Sequence, residues 1–203
     1  MSRVSSVPPD VDAGLGIAHA LRRGEPDADD RLVERYGERV YRVAAHLVGT
    51  RAAEDVTQSA LAAAVRTIDT FDGACSFDAW MDRLAARAAY RRLLTLPRKT
   101  AEVALDDVLP AFDDAGRHFA PMQDWSGEID EPALQGPLRR SLTDALEALP
   151  PDYRAALVLR DVERMPAADV AEILGTDLEA VRSRVHRARL FVRRSLSDQL
   201  GMS

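Results

Sequence analysis

The sequence predicts an all-α protein made of two small helical domains joined by an acidic linker. Three observations point there. Apolar residues recur at steps of three and four over two long blocks. No convincing strand-like alternation interrupts them, and a stretch rich in acids and prolines lies between them. With 203 residues, 46% of them hydrophobic and 30% charged, the chain can bury two ordinary cores and is not a disordered polymer as a whole.

Residues 1–12, with Ser5, Ser6, Pro8 and Pro9 and little periodicity, read as a mobile N-terminal tail. Residues 13–96 form the first domain. Leu32, Tyr36, Val40, Val43, Ala44 and Leu47, then Val56, Ala60, Leu61, Ala64, Val65 and Ile68, keep helical spacing. Breaks at Gly24 to Pro26, at Gly49 and Thr50, and at Asp72 to Ser76 divide the block into four helices, with Ser76 placed to cap the last. Residues 97–137 read as an acidic flexible linker, in which nine acids stand against Arg98, Lys99 and Arg117. Residues 138–199 return to helical spacing, broken at Pro150 and Pro151, at Met165 and Pro166, and at Gly175.

The formal net charge of −6, taken as a total, argues against a nucleic-acid partner. The signs are segregated, however: from Leu178 to Gln199 six arginines face only Glu179 and Asp198. Cys75 is the single cysteine, which excludes an internal disulfide and a zinc site made of several thiolates. His19, His46, His118 and His186 are scattered, and neither HExxH nor a phosphate-cradling glycine loop occurs. No enzyme activity, cofactor, metal or small-molecule substrate is therefore expected. There is no apolar run of about 18 residues, and Met1 to Gly14 lacks the features of a secretory signal. A cytoplasmic protein without direct membrane insertion is expected.

The most informative local pattern lies between Pro166 and Leu196. A short helix with Val170, Ala171 and Leu174 on one side would end at Gly175 in the left-handed conformation. Thr176, with Glu179 three residues on, would open the next helix as a capping box. In that second helix Leu178, Val181, Val185, Ala188, Val192 and Leu196 make a core stripe, and Arg182, His186, Arg189 and Arg193 follow a parallel stripe on another face. Ser183, Arg184 and Arg187 lie beside the second stripe. Short helix, glycine turn and arginine-faced helix together describe a helix-turn-helix that reads duplex DNA.

The run from Leu142 to Leu196, with ALEALPPDYRAALVLRDVE followed by MPAADVAEILGTDLEAVRSRVHRAR, resembles region 4 of the extracytoplasmic-function (ECF, group IV) sigma factors of the sigma-70 family. That resemblance implies binding of the −35 promoter element through the second helix and contact with the flap of the RNA polymerase β subunit. By position it makes Arg182, Ser183, Arg184, His186, Arg187 and Arg189 the DNA-contacting set. Upstream, HALRRGEPDADDRLVERYGERVYRVAAHLVGTRAAEDVTQSAL resembles regions 2.1 and 2.2 of the same family. In the AEDVTQ core, Asp55 and Gln58 share a helix face with Glu54. The resemblance implies that these three dock on the β′ clamp helices of core polymerase; taken alone, a solvated helix face would explain them as well.

RTIDTFDGACSFDAWMDRLAARAAYRRLL in turn resembles regions 2.3 and 2.4, where the −10 element is melted and held as a single strand. Flat side chains for stacking and cations along the backbone are the physical requirement. Phe71, Phe77, Trp80 and Tyr90 could supply the rings, and Arg83, Arg87, Arg91 and Arg92 the charge; core packing is the competing reading for Phe77 and Trp80. Arg87 stands where the family usually has Asn. The tail from Tyr90 to Thr95 is less basic than usual, and Ala85, Ala86, Ala88 and Ala89 thin the polar surface further. Trp125 is an isolated large ring in the linker and calls for a surface to pack on.

The expectation is a dissociable promoter-specificity subunit, with core RNA polymerase and promoter DNA as partners and an anti-sigma factor as a further partner that could hold it at the membrane. The alternative is a stand-alone helix-turn-helix regulator that binds operator DNA without polymerase, as a symmetric dimer.

Overall fold

The computed structural model of the chain describes residues 9–97 and 135–200. The expected linker, including Trp125, falls almost wholly outside the described residues, as does most of the expected tail. The chain separates into two compact units, Met1–Leu96 and Pro97–Ser203.

The first unit holds α1 (Pro9–Arg23), α2 (Ala28–Val48), α3 (Thr50–Thr67), a 3-10 turn (Ile68–Thr70) and α4 (Phe77–Thr95). The helix begins at Pro9, four residues before the expected domain start. Proline suits the first helical position because its missing N–H would have no intrahelical acceptor there. Helix α2 carries the core, burying Leu32, Tyr36, Val40, Val43, Ala44 and Leu47 at the expected spacing, and it packs against both α3 and α4. Helix α3 meets its neighbours through Ala52, Ala53, Val56, Ala60 and Ala64, and these small side chains permit close approach. On α4, Ala85, Ala86, Ala88 and Ala89 are buried together with Phe77, Trp80, Met81 and Leu93. The four alanines thus do not thin an exposed surface as expected. They line the inner faces of a helix that touches α1, α2 and α3.

Helix α1 crosses this bundle at Gly14. A Cβ there would stand 2.8 Å from Tyr36 Oη and 3.2 Å from Phe77 Cβ. The end of α1 is tied down by Arg22, whose Nη2 donates to the carbonyl of Phe71 and whose guanidinium lies 5.7 Å from the centre of that ring.

The second unit holds α5 (Gln135–Ala148), α6 (Pro151–Leu157) continued by a π-helical turn (Val158–Val162), α7 (Ala167–Leu174) and α8 (Leu178–Leu200). Helix α5 starts three residues before the expected boundary at 138. The chain leaves α6 through wide-loop bonds, Glu163 N–H to Val158 O at 3.0 Å and Met165 N–H to Leu159 O at 2.9 Å, with Arg164 at φ 55°. Helix α8 packs on α5, α6 and α7 and buries Val181, Val185, Ala188, Leu190, Phe191 and Leu196. Leu190 and Phe191 widen the expected stripe. Leu178 leaves it: at the first turn of α8 it is 44% exposed, because the core begins only at Val181.

Candidate nucleic-acid interface

The turn between α7 and α8 closes in a fixed pattern. Gly175 sits at φ 63°, ψ 40°, the left-handed region expected of it. Its N–H reaches Glu172 O at 3.3 Å, and the Thr176 N–H reaches Ala171 O at 2.9 Å. Thr176 is consequently spent on ending α7. The cap of α8 passes to Asp177, whose Oδ1 accepts from the Ala180 N–H at 2.7 Å, so the capping box expected at Thr176 begins one residue later as a simple aspartate cap.

Burial of Val181, Val185 and Ala188 turns the opposite side of α8 outward. Arg182, Ser183 and His186 are exposed and Arg187 is half-exposed. The other two residues of the expected DNA-contacting set are engaged by acids of their own domain. Arg184 pairs with Asp152 of α6 at 3.2 Å with its side chain only 24% exposed, so it braces the helix instead of presenting itself to a ligand. Arg189 makes a two-pronged bond to Asp161 of the π turn, Nε to Oδ2 at 2.7 Å and Nη2 to Oδ1 at 2.6 Å. That hydrogen bonding to Asp161 raises the Arg189 pKa. Neither acid was expected to bear on the site, since nothing in local spacing links residues of α6 to residues of α8.

In the first unit, Glu54, Asp55 and Gln58 are all exposed on the outer side of α3, while Ala52, Ala53, Val56 and Ala60 face inward. Three rings expected to stack on bases are placed differently. Phe71, Phe77 and Trp80 are buried, at 2%, 2% and 8% exposure. They form one cluster with Tyr36, in which Phe77 stacks on Trp80 at 5.4 Å and meets Tyr36 and Phe71 edge-on at 5.3 and 5.2 Å. These rings are needed to fill the space between α2, α4 and the loop before α4, so they are corrected from base platform to core. Of the remaining −10 set, Tyr90 and Arg87 are half-buried and Arg91 is exposed. Arg83 donates from Nη2 to Cys75 Sγ at 2.7 Å.

A polar network stiffens α2 against α4. Tyr36 Oη donates to Asp78 Oδ1 at 2.6 Å, and Arg39 binds Asp82 through Nε and Nη2, both at 2.7 Å, and Asp78 through Nη1 at 3.2 Å. Burial, then the bond to Asp78, raises the Tyr36 pKa; the bond to Asp82 raises that of Arg39 in spite of its burial. The i, i+4 spacing of Asp78 and Asp82 was the available signal for this network. Among the described residues, no cluster of His, Cys, Asp and Glu could hold a metal ion, and no helix is long and apolar enough to cross a membrane.

Residues 32–98 match the family model for sigma-70 region 2, and residues 139–192 match that for sigma-70 region 4. The ECF RNA polymerase sigma-E factor of Haemophilus influenzae is 30% identical over 177 residues, spanning 85% of this chain and 89% of the relative. The chain belongs to the ECF sigma factors of the sigma-70 family. SigW, an ECF sigma factor of Bacillus subtilis, is 26% identical over 180 residues, covering 88% of this chain and 94% of the relative. Two solved structures share the fold. CnrH in complex with the cytosolic domain of CnrY has TM-score 0.54 and 23% identity, covering 95% of this chain and 99% of that one. RpoE in complex with the anti-sigma factor NepR from Bartonella quintana has TM-score 0.53 and 21% identity, covering 87% and 99%. As an ECF sigma factor the protein serves transcription initiation by RNA polymerase, and its two units are the region 2 and region 4 domains.

Proposed function

We infer that the protein brings core RNA polymerase to promoters carrying a −10 and a −35 element, catalysing nothing itself. One observation carries this reading: both sigma regions occur in one chain, and each has a distinct exposed polar surface. The region 2 domain docks on the β′ clamp helices through Glu54, Asp55 and Gln58. The region 4 domain holds the −35 duplex through Arg182, Ser183, His186 and Arg187 and meets the β flap. Arginine can bond guanine with two parallel hydrogen bonds or neutralise a phosphate, and serine or histidine adds a single bond. The opened −10 strand lies along Arg83, Arg87, Tyr90 and Arg91. With the three buried rings removed from the set, Tyr90 is the only ring among these candidates for stacking. Holding two elements at once raises the effective concentration of each domain at correctly spaced promoters.

An operator-binding regulator would have no use for a region 2 domain, which tells against that alternative. The protein works in the cytoplasm, and an anti-sigma factor that engages it there, or from the membrane, completes the scheme. The test mixes purified protein with bacterial core polymerase and measures complex formation and transcription from a promoter library. Complex formation and promoter-selective transcripts are expected. Asp55→Lys with Gln58→Ala should weaken core binding about tenfold, or ~1.4 kcal/mol, without altering duplex binding. No complex with core would overturn the reading.

A further inference from the structure

The bond between Arg189 and Asp161 is a tertiary pair set at the edge of the arginine face of α8. Arg189 follows Arg182 and His186 at helical steps of four and three, so it lies on the same stripe. Its side chain is 60% exposed although Nε and Nη2 are both engaged. A guanidinium carries five N–H donors in a rigid plane. Asp161 takes two of them on one edge and thereby fixes the plane, leaving the Nη1 pair and the second Nη2 proton on the solvent side. Asp161 itself is held by the π turn, which the Glu163 N–H to Val158 O bond closes.

We propose that Asp161 is a positioning residue for promoter recognition: it holds Arg189 so that the outward edge of the guanidinium meets a backbone phosphate of the −35 duplex. The proposal rests on the assignment of α8 as the DNA-facing helix. Without Asp161 the long side chain of Arg189 would have to be ordered at the expense of binding. The carboxylate also limits indiscriminate attraction, because the pair is neutral as a unit until a phosphate is presented at the angle Arg189 is held to. Asp161 therefore acts on the ratio of specific to non-specific binding, and a role confined to stability would leave that ratio unchanged.

The experiment uses the full chain with core polymerase and two probes: a duplex selected by that holoenzyme from a randomised library, and an unrelated duplex of equal length. Affinities are measured over a salt series for the unchanged protein and for Asp161→Asn, Arg189→Ala, the double variant and Arg182→Ala, with melting curves as a control for folding. Arg189→Ala should weaken selected-duplex binding and reduce the slope of log K against log salt by about one. Asp161→Asn should lower the ratio of selected to unrelated affinity by roughly three- to tenfold, with no loss on the unrelated duplex. In the Arg189→Ala background Asp161→Asn should have no further effect. An unchanged or higher ratio in Asp161→Asn, or additive effects in the double variant, would overturn the proposal. If Arg182→Ala and Arg189→Ala both left binding intact, the assignment of α8 itself would fall; if only Arg182→Ala weakened it, the positioning role alone would fall.

Discussion

Replacing Gly14 by Ala tests the seat of α1 on the region 2 bundle. The added methyl would lie 2.8 Å from Tyr36 Oη and 3.2 Å from Phe77 Cβ, both inside normal contact distance. Neither atom yields easily. The Tyr36 hydroxyl is committed to Asp78 at 2.6 Å, and Phe77 Cβ belongs to the first turn of α4, within the aromatic cluster. Overpacking of a filled core costs ~1–3 kcal/mol, whereas exchanging glycine for alanine within a helix returns up to ~1 kcal/mol. The net expectation is a loss of about 1 kcal/mol, which for a unit of this size lowers the melting temperature by roughly 4–8 °C. The assay is thermal unfolding of the full chain in a Trp125→Phe background, so that emission comes from buried Trp80 alone. Adding Tyr36→Phe removes the nearer of the two clashing atoms, so the penalty of Gly14→Ala should be smaller in that background. A melting temperature for Gly14→Ala equal to or above the parent's would refute the reasoning, since helix propensity would then outweigh a contact that is not made.

Arg164 occupies φ 55° without being glycine. Arg164→Gly should relieve a left-handed penalty of ~1–2 kcal/mol against the larger chain entropy that glycine loses on folding, ~0.5–1 kcal/mol, and so raise region 4 stability in a denaturant titration by about 0.5–1 kcal/mol. Asp177→Ala should cost the same domain ~1 kcal/mol through loss of the α8 cap, measured in the same way; Thr176→Ala, by contrast, should cost little, because the contribution of Thr176 to the turn is its backbone N–H. Trp80→Ala should destabilise region 2 by ~3–5 kcal/mol in calorimetry. A fully stable Trp80→Ala variant that had lost only promoter opening would restore that ring as a base platform.

Most helix limits were legible because punctuation residues set them: Gly24, Gly49, Ser76, Pro151 and Gly175 each end or begin a helix by a local mechanism. Local mechanisms also explain the misses. Thr176 and Asp177 are both good capping residues in isolation. Only the tertiary closure of α7, which consumes the Thr176 N–H, decides between them. The π turn leaves no mark in a pattern of apolar spacing, since one extra residue within a buried run such as Leu157, Val158 and Leu159 preserves its appearance. At the site, the outward set on α8 followed from periodicity, but that Arg184 is drawn inward by Asp152 and that Arg189 is held in place by Asp161 depends on residues distant in sequence. Aromatic residues beside arginines fit a strand-binding surface and a core equally well in one dimension. Burial of Phe71, Phe77 and Trp80 is a property of the assembled bundle.

The middle of the inner surface of α4, from Ala85 to Ala89, is built from alanine, and this separates two kinds of variation. Side chains that end at Cβ have no rotamers to rearrange, so this middle stretch of the helix seats by close backbone approach, while Phe77, Trp80 and Leu93 anchor it on either side. Changes at outward positions such as Arg91 then travel poorly into the fold, while any enlargement at Ala85, Ala86 or Ala89 is felt at once. Substitution can therefore vary the outward side of this helix while the other side stays fixed, so α4 can change its surface chemistry without first losing its shape.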